Sequence, residues 1–360
     1  MNQGLLKSNV MFVTPSLSGG GAEKNLVNII NSLDDSKFSI TLVVFYGNDN
    51  YLPLIEKKVE VRKLEVRSVK AGVLKLRSIL DKVRPEIVFT SAEHILFFLS
   101  LYKIFRGKFK LIYRLPTLPS NKLYKGLKGK IIASFTKSIL KWSDFIICQT
   151  NEMKSEVHKY YNIEDDKVYF IKNMVNIEQI LKYSNEYIPE FSANKTNIVA
   201  AGSLYSAKGF DILIKAIANL IKQNRNIKVY ILGDETVEKG YREYLENLIE
   251  SLHVSEYISL LGFVKNPYPY YKSADIFVLS SIKEGFPNVV LEALVLGTPV
   301  VATNCINFEG IIDSSNGLIV EKGNIESLSV GLQEIKVDTQ FSVTLKNFDY
   351  SEWFQKILLV

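Results

Sequence analysis

Short runs of β-branched and aromatic residues alternate along this chain with longer stretches whose apolar positions recur at helical spacing. VMFVTPS, ITLVVFY, EIVFTS, KLIYRL and FIICQT read as strands in the first half, and NIVAAGS, KVYILG, ISLLGF, IFVLSS and PVVAT in the second. Nearly continuous apolar strands with helices between them predict parallel sheets covered on both faces. The pattern occurs twice, so the expected fold is α/β: two Rossmann-like, doubly wound domains over residues 1–180 and 190–342. The strand pattern lapses between Ile177 and Asn197, which reads as a linker. The end of the chain, 343–360, reads as a helix that packs back on the first domain.

Composition agrees with a folded, two-domain chain: 360 residues, 47% hydrophobic and 23% charged. The two cysteines, Cys148 and Cys305, both lie in apolar runs. That argues against a disulfide scaffold and for a reducing cytoplasm. The first apolar run reads as a strand and not as a secretory signal, and no apolar stretch is long enough to span a bilayer. The net charge of +6 is unevenly placed. Residues 1–180 hold 28 Lys+Arg against 17 Asp+Glu, and the remainder 16 against 21. The first half is therefore the one expected to meet something anionic.

Three stretches carry candidate chemistry. In TPSLSGGGAEKNLVNIINSL, Gly20 and Gly21 precede a helix whose free N–H groups suit a phosphate. The spacing is not that of a dinucleotide fold, and a simple strand-to-helix turn accounts for it equally well. In VAAGSLYSAKGFDILIKAIANL, Lys208 follows a strand and precedes a helix, where it would reach a diphosphate or lie in solvent. In EGFPNVVLEALVLGTPVVAT, Glu284 stands before a helix and Glu292 within it among apolar residues. A buried carboxylate needs donors, and the paired hydroxyls of a sugar or ribose supply two at once. The turn Gly285, Phe286, Pro287, Asn288 and Val289 presents N–H groups to the same place.

Glu284 and Glu292 form an E-x7-E pair, and with it the sequence resembles retaining glycosyltransferases of family four, which have the GT-B fold. GGGAEKNLVNIINSL, SDFIICQTNEMKSEV with VYFIKNMVNIEQI, GSLYSAKGFDILIKA, and YILGDETVEKGYREYLENLI with LLGFVKNPYPYYKSADIFVLSS resemble that family in the same order, over nearly the whole chain. The resemblance implies an acceptor-binding domain and a nucleotide-sugar domain facing a central cleft. It implies that Glu284 and Lys208 are catalytic, with Glu284 on donor-sugar hydroxyls and Lys208 on the diphosphate. Glu292 would hold the ribose, Phe263 and Val264 would flank the base, and Gly20 and Gly21 would approach from the opposite wall. A UDP-sugar donor, no cofactor and no bound metal are implied. Ser203 stands where the family often has Arg, and Pro116 near where it often has His. Arg114 and His94 are the polar candidates on the acceptor side, although a plain helix or loop histidine also fits His94.

From Lys103 to Lys141 no acidic residue occurs. Within that stretch Tyr124, Leu127, Ile131, Phe135, Ile139 and Trp142 form a helical stripe flanked by Lys122, Lys125, Lys128 and Lys130. The pattern fits a helix on an anionic membrane surface, and also a core-facing helix with solvated lysines. The one-sided charge favours the membrane, hence a peripheral site on the inner face of the cytoplasmic membrane and a lipid-linked saccharide acceptor, as in capsule or O-antigen assembly. Nothing resembles a nucleic-acid motif. A catalytically silent GT-B subunit, a sugar-nucleotide epimerase and a phosphorylase are the competing expectations.

Overall fold

The computed structural model describes residues 7–18, 20–122, 126–223, 226–235, 238–308, 310–335 and 349–359, without the side chains of residues 121–133. The chain divides into two compact units, Met1–Met174 with Asn347–Val360, and Val175–Lys346.

The first unit opens with β1 (Ser8–Thr14), α1 (Gly21–Ser32), β2 (Phe38–Val44), β3 (Val59–Lys63) and α2 (Val69–Val83). It continues through β4 (Ile87–Thr90), α3 (Glu93–Phe105), β5 (Lys110–Arg114) and α4 (Gly126–Lys141). β6 (Phe145–Cys148), α5 (Asn151–Glu156) and β7 (Val168–Phe170) follow. All seven strands are parallel, in the order β3-β2-β1-β4-β5-β6-β7. Successive residues of β1 serve opposite faces, as the strand period requires. Met11 and Val13 pack with Leu76 and Leu80 of α2, Leu96 and Leu99 of α3 and Ile139 of α4. Val10 and Phe12 pack with Leu26 and Ile29 of α1 on the other face.

The second unit holds α6 (Ile177–Tyr183), β8 (Thr196–Ala201), α7 (Phe210–Lys222), β9 (Ile227–Leu232), α8 (Tyr241–Ser251) and β10 (Ile258–Gly262). α9 (Tyr268–Ser273), β11 (Ile276–Leu279), α10 (Asn288–Val295), β12 (Val300–Thr303), β13 (Gly317–Val320) and α11 (Ile325–Glu334) complete it. Its six parallel strands run β10-β9-β8-β11-β12-β13. α6 begins the stretch expected to be a linker. Its Ile180 joins the core formed by Leu291 and Leu294 of α10 with Phe277 and Leu279 of β11. The chain thus passes between units at Met174–Val175, earlier than the strand pattern suggested.

The last helix, α12 (Tyr350–Leu358), belongs to the first unit. Asp349 caps it by accepting the N–H of Glu352 at 2.9 Å. Its Trp353 and Phe354 lie against Phe145 and Phe12, so the chain's end fills the sheet face it shares with α1.

In each sheet the strand order reverses direction once. β1 and β4 flank that point in the first unit, and β8 and β11 in the second. Loops leaving such neighbours diverge to opposite faces and open a crevice at the strands' carboxyl ends.

Candidate active site

The loops after β8 and β11 meet at the switch point of the second unit. The hydroxyl of Ser280 donates to the carbonyl of Lys208 at 2.9 Å, and the N–H of Ile282 donates to the carbonyl of Ala207 at 2.8 Å. Gly209 makes this closeness possible. Its φ is +64°, and a Cβ there would stand 2.2 Å from the carbonyl oxygen of Ser280. Below, the hydroxyl of Thr303 at the end of β12 donates to the carbonyl of Ser281.

These fixed loops bring Lys208 and Glu284 together. Lys208 Nζ lies 2.6 Å from Glu284 Oε1, with the two side chains 16% and 9% exposed. The hydroxyl of Ser281 donates to the same oxygen at 2.8 Å. Among the described residues no hydrogen bond reaches Oε2, and the Lys208 ammonium makes no second one. One carboxylate oxygen and two N–H donors are therefore left for a ligand. The ammonium also stands 5.9 Å from the centre of the Tyr205 ring. Lys208 and Glu284 were expected to serve different parts of a donor; the structure adds that they hold each other.

Burial pulls the Lys208 ammonium down more than any other single influence, but the charge and hydrogen bond of Glu284, with Tyr205 and Cys305 nearby, together outweigh it, so its proton affinity is raised. Burial, with Glu284 beyond it, pushes the Cys305 thiol up to about 12, and burial does the same at Cys148. In the unfolded chain thiols ionise near about 8.5 and lysines near about 10.4. Above about pH 8.5 the folded chain therefore holds more protons than the unfolded one, and stability falls as pH rises. The melting temperature is expected to drop steadily from about pH 8.5 to about pH 10, below which the lowered Arg114 guanidinium does not yet oppose these groups. Iodoacetamide at about pH 8 should label neither cysteine until the protein unfolds. A flat alkaline profile would contradict these shifts.

α10 starts one residue after Pro287, and its first-turn N–H groups, Val289's among them, have no carbonyl four residues back within the helix. Pro287 and Asn288 are buried, while Gly285, Phe286 and Val289 are partly so. Glu292 is 2% exposed, on a helix whose Val290, Leu291, Ala293 and Leu294 all belong to the core. Ser203 is partly buried in the loop after β8, beside Leu204, whose N–H donates to the carbonyl of Asp234 at 2.9 Å. Phe263 and Val264 follow β10 at the sheet edge; Phe263 is exposed and Val264 packs on the core.

In the first unit the glycine loop holds an anion of its own. The N–H of Gly20 donates to Glu23 Oε2 at 3.1 Å, and the hydroxyl of Ser16 donates to the other oxygen. Glu23 sits three residues beyond the cap, where such a carboxylate closes a helix start. Gly21 is the first residue of α1. His94 is exposed on the first turn of α3. Arg114, expected beside an acceptor, is only 3% exposed and donates to the side chain of Asn173. Burial lowers its guanidinium to about 10, so it stays charged inside the unit. Lys125 lies outside the described residues, and Lys122, Lys128 and Lys130 have side chains outside them.

Two all-parallel, doubly wound sheets, one with a buried Lys–Glu pair and a buried helical carboxylate at its switch point, define a GT-B fold of the glycosyltransferase kind. Residues 19–179 match Glycosyltransferase Family 4 and residues 184–349 match Glycosyl transferases group 1. The chain belongs to glycosyltransferase family 4, of the retaining class. A Campylobacter jejuni N-acetylgalactosamine-N,N'-diacetylbacillosaminyl-diphospho-undecaprenol 4-alpha-N-acetylgalactosaminyltransferase is 25% identical over 92% of this chain and 91% of its own. An uncharacterized glycosyltransferase of Methanocaldococcus jannaschii is 32% identical over 64% of this chain, and that match spans 58% of the archaeal protein. The crystal structure of HepE from Anabaena in complex with UDP and glucose superposes with a TM-score of 0.77 at 18% identity, over 97% of this chain and 99% of that one.

Proposed function

We propose that this chain transfers a hexosyl unit, with retention, from a UDP-sugar to a lipid-linked or growing saccharide acceptor during surface polysaccharide assembly, at the inner face of the cytoplasmic membrane. The observation that carries the reading is the Lys208–Glu284 pair, with its spare donors and its one open oxygen. The names of the similar proteins favour UDP as the nucleotide and a diphospho-undecaprenol saccharide as the acceptor class.

In this reading the Lys208 ammonium lies on the donor diphosphate, and Glu284 Oε2 accepts from hydroxyls of the donor sugar. The bond between the anomeric carbon and the phosphate oxygen breaks while the acceptor oxygen bonds that carbon from the same face. The acceptor's proton passes to the departing phosphate oxygen. The protein's share is to hold both partners and to balance the charge that grows on the diphosphate. Glu292, kept from water by its helix, takes the ribose diol. Ser203 withholds one cation that the family often supplies, so Lys208 and the start of α10 bear that charge.

Slow hydrolysis of a UDP-sugar by purified protein tests the activity, and its absence across a panel of donors would favour a silent subunit. Glu292→Ala is expected to raise KM for the donor by about tenfold or more, through the loss of two hydroxyl contacts, with kcat changed much less. An unchanged KM would remove Glu292 from the ribose.

A further inference from the structure

On the first unit, α2 and α3 enclose a groove of about 500 Å³, lined by none of the candidate site residues named above. Val73 and Leu76 of α2 and Phe98, Leu101 and Phe105 of α3 form its walls. Its wall at Phe105 is itself open to solvent, 79% exposed. A formed apolar groove with an exposed aromatic on its wall marks a binding place more often than chance packing.

The charges around it are cationic. Arg77 and Arg106 both line the groove and are both exposed, which puts them at its rim. The near acid, Asp81, accepts the Tyr102 hydroxyl at 2.8 Å and stands 3.8 Å from Arg77, the outer limit of an ion pair. Among the described residues no carboxylate pairs with Arg106. Arg106, the residue after α3, lies near the start of the stretch from Lys103 to Lys141 that lacks any acid. α4, which carries the last part of that stretch, packs in the same helical layer, on the same face of the sheet. An apolar slot rimmed by guanidinium groups is complementary to a hydrocarbon chain ending in a phosphate.

We propose that the groove between α2 and α3 holds one hydrocarbon chain of an anionic, phosphate-headed bilayer lipid, with Arg77 and Arg106 on its phosphate. This would anchor the first unit by insertion, where the lysines of α4 would act by charge alone. It does not depend on the transferase reading.

Monomeric dodecyl phosphate, kept below its micelle concentration, is titrated into the full chain by calorimetry. Saturable one-site binding is expected, with no heat from inorganic phosphate alone. Val73→Trp and Leu101→Trp each fill the groove while keeping its surface apolar, and each should weaken binding by about tenfold or more. Arg77→Gln with Arg106→Gln should weaken it and flatten its salt dependence. Replacing Lys122, Lys125, Lys128 and Lys130 by Glu should leave it unchanged, whatever happens to vesicle binding. No saturable binding, or wild-type affinity in whichever tryptophan variants keep the wild-type melting temperature, overturns the proposal and leaves the groove to a protein partner. Equal affinity for dodecyl maltoside overturns the role given to the arginines.

Discussion

Glu284→Gln is expected to lower kcat for sugar transfer by roughly 10²–10³, the range seen when one group that steadies a transition state is removed, with little change in donor KM. The substitution keeps the shape and one acceptor oxygen. It removes the negative charge that faces Lys208 at 2.6 Å, and with it the charge nearest the anomeric centre in the proposed complex. Charge near that carbon matters most when the carbon becomes positive, so the loss falls on the transition state more than on the bound donor. The two acids of the E-x7-E pair should therefore separate kinetically, Glu284 through kcat and Glu292 through KM. Measuring both constants for both variants with one donor checks this. Equal effects on KM in the two variants, or a Glu284→Gln protein with near wild-type kcat, would take Glu284 out of the reaction.

The centre of each sheet was legible because both of its faces are covered. β1, β8 and β11 read as unbroken apolar runs, since their side chains meet helices on either side. The edges were not. β3, β7 and β13 each close a sheet with one neighbour, and in β3 the residues Glu60, Arg62 and Lys63 are exposed. A strand covered so thinly needs no apolar run. α6 escaped notice for a related reason: it has 7 residues and buries only Gln179 and Ile180.

At the site, residue types were legible and partnerships were not. Lys208 and Glu284 lie 76 positions apart, and only the adjacency of β8 and β11 joins their loops. Periodicity finds strands but does not order them. Arg114 shows the converse. It was named as a polar candidate on the acceptor side; as the last residue of β5 it shares a face with Ile112, two residues earlier. That face is covered by α12, whose Tyr350 influences its charge. A helix from the far end of the chain gives a local window no warning of this. Glu23 did carry a local signal, its place three residues after the cap, which would have marked the glycine loop as already closed by a carboxylate.

Lys208→Met should cost about 3 kcal/mol of stability, because it leaves Glu284 a largely buried charge with only the Ser281 hydroxyl for company. Methionine keeps the stem's bulk. The stem lies over Gly202, where a Cβ would come within 3.2 Å of the Lys208 Cε, so packing there changes little and the loss reports the charge. Adding Glu284→Gln to Lys208→Met should restore most of that stability, since a neutral pair has no stranded charge. Activity should not return with it. Either substitution removes a group the proposed transfer needs, so the double variant is expected to be as stable as the wild type to within about 1 kcal/mol and still about 10²-fold or more slower. Denaturant melts and donor hydrolysis on the four proteins of the cycle measure both at once. Strictly additive stabilities would show that the pair does not couple in solution. Recovery of turnover in the double variant would show that the pair holds the loops and takes no part in the chemistry.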